Sequence, residues 1–241
     1  MGTNWFDEGV AATYDDDLAP PPETSLVVLE RLARPGGRAL EFAIGTGRVA
    51  LPLAARGVRV DGIELSKPML ARLRAKPGGD KASIPVVVGD MATAVTAGTF
   101  DVVYLVFNTI MNLTTQDAQV ACFANAARHL RPGGTFVVET MVPALRLLPP
   151  GRRYVPFEVT AHHIGVDEYD VVSQTLVSHH TTTRSDGRIE RMSVPFRYVW
   201  PAELDLMARL AGLQLRDRWA DWDRSEFTEA CDSHVSTWVK Q

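Results

Sequence analysis

The sequence predicts an α/β fold built on a doubly wound, mostly parallel sheet, and three observations lead to this prediction. Strand-like and helix-like segments alternate from residue 38 to residue 140. A glycine-rich turn, Gly45-Thr46-Gly47, follows the first of these strands. From about residue 142 the pattern changes to a two-residue polar–apolar period, which is typical of antiparallel ribbons. We expect right-handed crossovers in the parallel part.

The composition is that of one globular domain. The chain has 241 residues, of which 46% are hydrophobic and 22% are charged. The net charge of −4 argues against a nucleic-acid partner, whose phosphates need a basic surface. No apolar run reaches the ~18 residues that a membrane-spanning helix requires, and the acidic N-terminus is unlike a signal peptide. We therefore expect a cytoplasmic protein without a membrane partner, whose two cysteines stay free.

Breakers and composition shifts divide this domain, residues 1–241, into four parts. Triple proline and a Pro-Gly-Gly stop bound the N-terminal part, and the change of period marks the second boundary. The parts are an N-terminal lid and helix (1–37), a cofactor-binding core (38–141), an antiparallel insertion that caps the acceptor (142–200), and closing helix and strands (201–241).

Apolar runs, caps and breakers place the elements of the first half. A helix over residues 23–33 opens the pattern, and Ser66 is the expected N-cap of a later helix. The predicted order after residue 37 is strand 38–43, helix 49–56, strand 58–63, helix 68–75, strand 84–88, strand 100–107, a helix from Thr114 or Thr115 to about 130, and strand 135–140.

The second half predicts an antiparallel β insertion before the last helix. Residues 153–199 alternate as ribbons added to the main sheet, with a Ser185-Asp186-Gly187 turn between two long strands. Pro201 opens the last helix, and Gly212 ends it in the left-handed conformation. A closing strand pair follows.

Three acids decide which ligand the glycine turn holds. The glycines alone also fit a dinucleotide site, because Gly45-Thr46-Gly47 opens a G-x-G-x-x-A run. Glu41, Glu64 and Asp90 lie at or near the carboxyl ends of the first three strands, where α/β sheets bind ligands. A dinucleotide needs only one acid for its ribose. A ligand that uses all three acids carries a sulfonium, an ammonium, a ribose diol and an adenine amine. S-adenosylmethionine (SAM) is such a ligand.

The sequence here resembles the class I SAM-dependent methyltransferases that act on small molecules. The matching motifs are EFAIGTG at 41–47, GIELSKPML at 62–70 and GDM at 89–91, followed by FDVV at 100–103 and LRPGG at 130–134. Five motifs in this order are specific, although each alone is weak. The resemblance implies a Rossmann-like methyltransferase fold with a mostly parallel seven-stranded sheet.

The resemblance implies contacts to the methionine and ribose parts of the cofactor. Gly45, Thr46 and Gly47 would contact the methionine part through their backbone, and Glu41 would anchor it directly or through water. Glu64 would accept both ribose hydroxyls in a charge-assisted pair. The alternative for Glu64 is a solvated strand end.

The resemblance also assigns the adenine end and the reacting end. Asp90 would accept from the adenine amine, with Met91 and Leu65 packed on the ring faces. Phe107 and Asn108, after the fourth strand, would lie beside the transferred methyl group. The alternatives are a turn cap for Asp90 and ordinary core packing for Met91.

Three further positions complete the predicted site. Met69 belongs to the ribose motif and is included among the cofactor-binding residues. Ala43 stands where the family has glycine, and we expect the turn to tolerate alanine if its φ stays negative. Tyr14, in an Ala-x-x-Tyr-Asp run like the family's N-terminal lid, would close over the methionine end or serve only lid packing.

The resemblance points to an in-line methyl transfer onto nitrogen or oxygen of a small-molecule acceptor. Enzymes that methylate amino groups of nucleic acids carry prolines after the fourth strand, and residues 107–112 hold none. Neither cysteine follows a proline, as the nucleophile of a cytosine methyltransferase would. Residues 104–113 hold no extra carboxylate, so we expect no metal. The rivals are a non-catalytic SAM-binding regulator and an NAD-dependent dehydrogenase.

Histidines of the insertion are the candidate general bases. His179 and His180 should point to opposite faces of a strand, as should His162 and His163. A solvated or structural role is the alternative, and a four-histidine zinc site lacks tight ligand spacing. With Tyr14, His179 and His180 form the candidate catalytic set. Tryptophans at 219 and 222 are interpreted as packing or oligomer contacts, which leaves a homodimer open.

Overall fold

A computed structural model describes residues 6–16 and 18–241 of the chain. The helices of this described part are α1 (Glu8–Thr13), α2 (Glu23–Ala33), α3 (Ala50–Ala55), α4 (Lys67–Ala75), α5 (Gln116–His129) and α6 (Pro201–Leu210), with 3-10 helices at Thr109–Asn112 and Ala144–Leu147. The strands are β1 (Arg38–Phe42), β2 (Arg59–Glu64), β3 (Val86–Val88), β4 (Phe100–Leu105), β5 (Leu130–Met141), β6 (Tyr154–Val159), β7 (His163–Asp170), β8 (Thr175–Thr183), β9 (Ile189–Arg197), β10 (Leu213–Trp219) and β11 (Ser233–Lys240).

The main sheet has seven strands in the order β10-β11-β5-β4-β1-β2-β3. Strands β1 to β5 pair in parallel, whereas β11 runs antiparallel to both β5 and β10. In this register Glu41 lies between Gly62 and Tyr104 of the neighbouring strands. The predicted doubly wound sheet is confirmed, and the carboxyl ends of its central strands meet at one edge.

Predicted caps set the helix boundaries that position this edge. The Ser66 hydroxyl accepts from Met69 N at 3.3 Å and caps α4. Of the two threonines predicted as the N-cap of α5, the structure has Thr115, whose hydroxyl accepts from Ala118 N. Gly212 ends α6 with a φ of 74°, as expected for a left-handed stop.

The insertion forms a separate sheet, which corrects the prediction that its ribbons extend the main one. Its four strands lie in the order β6-β7-β8-β9 and are all antiparallel. The insertion cannot pair with this edge of the main sheet, because β11 already pairs with β5 and β10 pairs with the other side of β11. The second sheet instead packs through one face, where Tyr169 and Leu176 join the core beside Ile110 and Met111.

Apolar side chains cover both faces of the main sheet. On one face Phe123 packs edge-on against Phe136 and Trp238, with ring centroids 4.9 and 5.3 Å apart. The other face buries Leu29 and Trp222, so Trp222 is a packing residue. Both cysteines are free, as expected. In the described ranges no helix is long and apolar enough to cross a membrane.

Candidate active site

An open cleft lies over the glycine turn at the carboxyl edge of the main sheet. Its empty volume, open solvent included, is about 320 Å³. The lid, the glycine turn and the loop after β4 all contribute to it. The lining residues are Tyr14, Glu41, Ala43, Ile44, Gly45, Thr46, Arg48, Val49, Val106, Phe107 and Thr109. Six of the predicted site residues therefore share one cleft.

The glycine turn takes the left-handed conformation at three positions. Gly45 and Gly47 have φ of 57° and 77°, and a Cβ at Gly47 would stand 2.3 Å from Leu73 Cδ1. Ala43 has a φ of 53°. The condition that the φ of Ala43 stays negative is therefore not met, and the alanine adopts the left-handed conformation of the turn at a cost of about 1–2 kcal/mol.

Glu64 ties the end of β2 to the glycine turn. Its Oε2 accepts from Gly45 N at 2.7 Å, and its Oε1 accepts from Ser66 N at 2.6 Å. The side chain is buried, and burial raises the pKa of Glu64 despite these backbone donors. The predicted ribose contacts would use the second lone pair of each oxygen, since the first is already engaged.

Glu41 lies buried at the bottom of the cleft. The Tyr104 hydroxyl donates to its Oε2 at 3.0 Å. Burial raises the pKa of Glu41 to about 8, although the Tyr104 hydrogen bond and the charge of Arg48 act in the opposite direction. Without a ligand this carboxyl is therefore protonated at neutral pH. Sequence reasoning missed Tyr104, because only the β1–β4 register brings it beside Glu41.

Arg48 is a second residue that sequence reasoning missed. Its guanidinium lies 5.0 Å from the centroid of the Phe107 ring and donates to Ala19 O at 3.2 Å. It forms no ion pair with a carboxylate of residues 6–16 or 18–241. Its position directly after the glycine pair was the available signal. The cleft thus holds one unmatched cation beside a buried acid.

The N-terminal lid is held to the glycine turn by a hydrogen bond and to the end of α4 by an ion pair. Asp15 Oδ1 accepts from the Thr46 hydroxyl at 2.6 Å, and its Oδ2 lies 2.8 Å from Lys76 Nζ. Lys76 also donates to Thr46 O at 2.8 Å. This arrangement places Tyr14 in the cleft lining, where burial raises the pKa of its hydroxyl.

The residues predicted for the adenine end are not among those that line the described cleft. Asp90 Oδ1 accepts from Ala92 N at 2.8 Å, which is the turn cap that the sequence left as an alternative. Met91 is buried in the core, as its alternative held, and Met69 is buried under the glycine turn. Leu65 is half-buried. The turn cap of Asp90 and the core packing of Met91 are therefore both observed.

The loop after β4 is held in two successive left-handed residues. Phe107 and Asn108 have φ of 57° and 60°. The Phe107 ring is 49% exposed at the cleft rim. Asn108 Oδ1 accepts from Met141 N at 2.6 Å, so this side chain contacts the backbone of β5. Of the two residues predicted beside the methyl group, Phe107 lines the cleft.

His180 belongs to a hydrogen-bonded chain on the second sheet. Its Nδ1 lies 3.0 Å from His163 Nε2, and its Nε2 lies 3.2 Å from Ser178 Oγ. His163 Nδ1 contacts Glu158 Oε2 at 2.9 Å. Burial and the neighbouring His163 lower the pKa of His180, so its imidazole is neutral at pH 7.

His179 points to the opposite face, as the alternation predicts. Its ring nitrogens contact Ser193 Oγ at 2.8 Å and Glu168 Oε2 at 3.3 Å. His180 instead shares its face with Leu176, which packs into the core. No residue of the second sheet stands in the described cleft lining. Across residues 6–16 and 18–241, no group of three or more His, Cys, Asp or Glu is placed to hold a metal ion.

Comparisons with known proteins agree with this geometry. A family model described as a methyltransferase domain matches residues 39–134. The chain is 30% identical over 224 residues to the cypemycin N-terminal methyltransferase of a Streptomyces species, covering 87% of each protein. The CcbJ methyltransferase of Streptomyces caelestis is 35% identical with a TM-score of 0.86, covering 99% of each chain.

A more distant structure shares the fold. SAM-bound CalS10 of Micromonospora echinaspora, an amino pentose methyltransferase, is 23% identical with a TM-score of 0.70, over 98% of this chain and 99% of that one. The relatives at 30% and 35% identity support methyl transfer over a dehydrogenase or a non-catalytic binding protein. From the identity over most of both chains, together with the acid-lined glycine turn, the chain belongs to the class I SAM-dependent methyltransferases.

Proposed function

We propose that this enzyme transfers the methyl group of SAM to a nitrogen or oxygen atom of a small-molecule acceptor by in-line displacement. The observation that carries the cofactor assignment is the pair of buried acids, Glu41 and Glu64, at a left-handed glycine turn. Buried carboxyls suit a cationic ligand, which would stabilise their ionised form, better than a pyrophosphate, which would disfavour that form. The sulfonium supplies an activated methyl group, and the protein supplies position and exclusion of water.

The methionine part of SAM fits the charged groups of the cleft. We place its ammonium beside Glu41 and its carboxylate beside Arg48, which has no carboxylate partner in the described chain. The backbone at 45–47 would complete this end of the site; of its N–H groups, those of Gly45 and Gly47 already donate to Glu64 Oε2 and Ile44 O. The lid is fastened over the same turn through Asp15, which supports a role for Tyr14 in covering the methionine part.

The nucleoside part fits the residues along the ends of β2 and β3. Glu64 would accept both ribose hydroxyls through its remaining lone pairs. Asp90 would accept from the adenine amine, while Leu65 and Met91 provide apolar contacts to the ring. Met69, under the glycine turn, supports the same region. These assignments rest on the family motifs and on the positions of the side chains.

An amine nitrogen is the acceptor that we favour over a hydroxyl. A relative that is 30% identical is named for N-terminal methylation of cypemycin. A protonated amine must lose its proton before it attacks the methyl group, so a base is needed. His180 is neutral at pH 7 and suits this task, whereas burial keeps Tyr14 protonated and suits it to hydrogen bonding.

The acceptor cap would be the inward face of the second sheet, within residues 142–200. Tyr169 and Leu176 on this face belong to the same core cluster as Ile110, which follows the cleft residues Phe107 and Thr109 in sequence. The face continues through Ser178 to His180. His179 faces the other way and is the weaker candidate base. A cytoplasmic location and a homodimer remain part of the proposal.

A labelled-methyl assay tests this function. The enzyme would be incubated with SAM carrying a labelled methyl group and with panels of amine-bearing and hydroxyl-bearing metabolites. We expect label in an organic product with one S-adenosylhomocysteine formed per methyl transferred, and calorimetric binding of SAM but not NAD. Binding of NAD alone would contradict the proposal, and SAM binding without transfer to any panel member would favour the regulatory alternative.

A further inference from the structure

We propose that Glu139 is a positioning residue for methyl transfer, because it holds the Phe107–Asn108 turn at the rim of the cofactor cleft. This inference rests on the proposed function in one respect: it takes the cleft side of Phe107 as the place where acceptor and cofactor meet. Glu139 does not line the cleft and belongs to none of the cofactor motifs. Its effect would pass through the backbone of the β4 loop.

Three N–H groups converge on this one residue. Glu139 Oε2 accepts from Phe107 N at 3.0 Å, and Oε1 accepts from Trp222 Nε1 at 2.9 Å. The carbonyl oxygen of Glu139 also accepts from Asn108 N at 3.3 Å. Trp222 is only 2% exposed, so it fixes one carboxylate oxygen from a buried position. The other oxygen is left to accept from the turn.

The turn needs such a hold because its backbone is strained. Phe107 and Asn108 are successive non-glycine residues with positive φ, a conformation that is unfavourable for such residues unless a local hydrogen bond compensates. Asn108 compensates through its own Oδ1, which accepts from Met141 N at 2.6 Å. Phe107 has no polar side chain, so the contact of its N–H with Glu139 is the corresponding restraint.

The held turn fixes the aromatic wall of the cleft. The Phe107 ring stands half-exposed at the rim, with the Arg48 guanidinium 5.0 Å from its centroid. Arg48 in turn lies near the buried Glu41. A shift of the turn would move the ring relative to Glu41 and Arg48, beside which we place the methionine part of SAM. Misplacement of reacting groups by about 1 Å can cost on the order of 100-fold in rate.

A carboxylate is the group that can accept from both N–H donors at once. Both oxygens accept, and they do so from two different N–H donors. Glutamine would offer one accepting oxygen and an NH₂ group, which would face one of the two donors without a hydrogen bond. Aspartate would keep both acceptors but would be one methylene shorter.

Glu139→Gln is the test variant, and Trp222→Phe is the matched control, which removes only the second donor. For Glu139→Gln we expect S-adenosylhomocysteine affinity by calorimetry within about threefold of the wild type, and a kcat roughly 10- to 100-fold lower with little change in KM for SAM. Trp222→Phe should lose less than about fivefold in kcat, because the Phe107 contact persists. Glu139→Asp serves if Glu139→Gln does not fold, with an intermediate loss expected.

Hydrogen exchange of the Phe107 amide provides a readout that needs no acceptor. We expect faster exchange at this amide in Glu139→Gln and near wild-type exchange in Trp222→Phe. Unchanged kcat and unchanged exchange in a folded Glu139 variant would overturn the proposal, as would an equal loss in Trp222→Phe. If the wild type methylates nothing, the proposed function fails, whereas the exchange data still decide whether Glu139 holds the turn.

Discussion

The hydroxyl of Tyr104 donates to the carboxyl of Glu41 across 3.0 Å, and the two residues are 63 positions apart in the chain. Their contact closes the bottom of the cleft with an acid that burial keeps protonated at neutral pH, since its pKa is about 8. A cationic ligand next to Glu41 would stabilise the ionised form and lower this pKa. Ligand binding and proton release should therefore be coupled.

Proton release on SAM binding is the first prediction. At pH 7 we expect up to one proton released per SAM bound, and an affinity that rises with pH and levels off only above about 8, where Glu41 is ionised in the free enzyme as well. Calorimetry in two buffers of different ionisation enthalpy measures the released protons. Glu41→Gln should abolish both effects. A binding enthalpy that is independent of the buffer would contradict the coupling.

The second prediction is that the ionisation of Glu41 makes the ligand-free enzyme less stable as the pH rises, whereas it makes SAM binding stronger. The pKa of this group is raised from 4.5 to about 8 by folding, so between these values the folded state binds the proton that the unfolded state has released. Stability should therefore fall as pH rises through this window, by up to about 1.4 kcal/mol per pH unit. Thermal unfolding of the wild type minus that of Glu41→Gln isolates the contribution, and a flat difference would refute it.

Replacing Glu64 should separate cofactor binding from folding. For Glu64→Ala we expect SAM affinity to fall at least about 100-fold, because two charge-assisted ribose hydrogen bonds are lost at about 1.5–3 kcal/mol each. Circular dichroism should show a retained fold, with some loss of stability because Gly45 N and Ser66 N lose their acceptor. Glu64→Gln, which keeps one acceptor oxygen, should bind with intermediate affinity. Wild-type affinity in Glu64→Ala would reject the ribose role.

Two adjacent histidines provide a matched pair for the acceptor side. His180→Gln should lower kcat roughly 100-fold at pH 7 with an amine acceptor, since the proposed base is removed. The loss should shrink at high pH, where the free amine no longer needs a base. His179→Gln should stay near wild type, because His179 faces Ser193 and Glu168 on the other side. Equal losses, or a loss that does not change with pH, would count against His180 as the base.

Local patterns were sufficient for most of the helices and strands, and six of the predicted site residues share the described cleft. Caps such as Ser66 and stops such as Gly212 act within a few residues, so the sequence alone locates them. The glycine turn and the acids Glu41 and Glu64 also follow from their places at strand ends. Parallel topology brings strand ends to one edge whatever the details of packing.

Contacts between distant residues decided the rest. The alanine at 43 does not by itself signal a positive φ, which depends on the turn closing over β2. Nothing near Glu139 signals that its carboxylate reaches Phe107, 32 positions away, and Trp222, 83 positions away. The separation of the second sheet likewise depends on β11 pairing with β5. Sequence patterns report which face of an element is buried, whereas register and packing determine what each buried polar group meets.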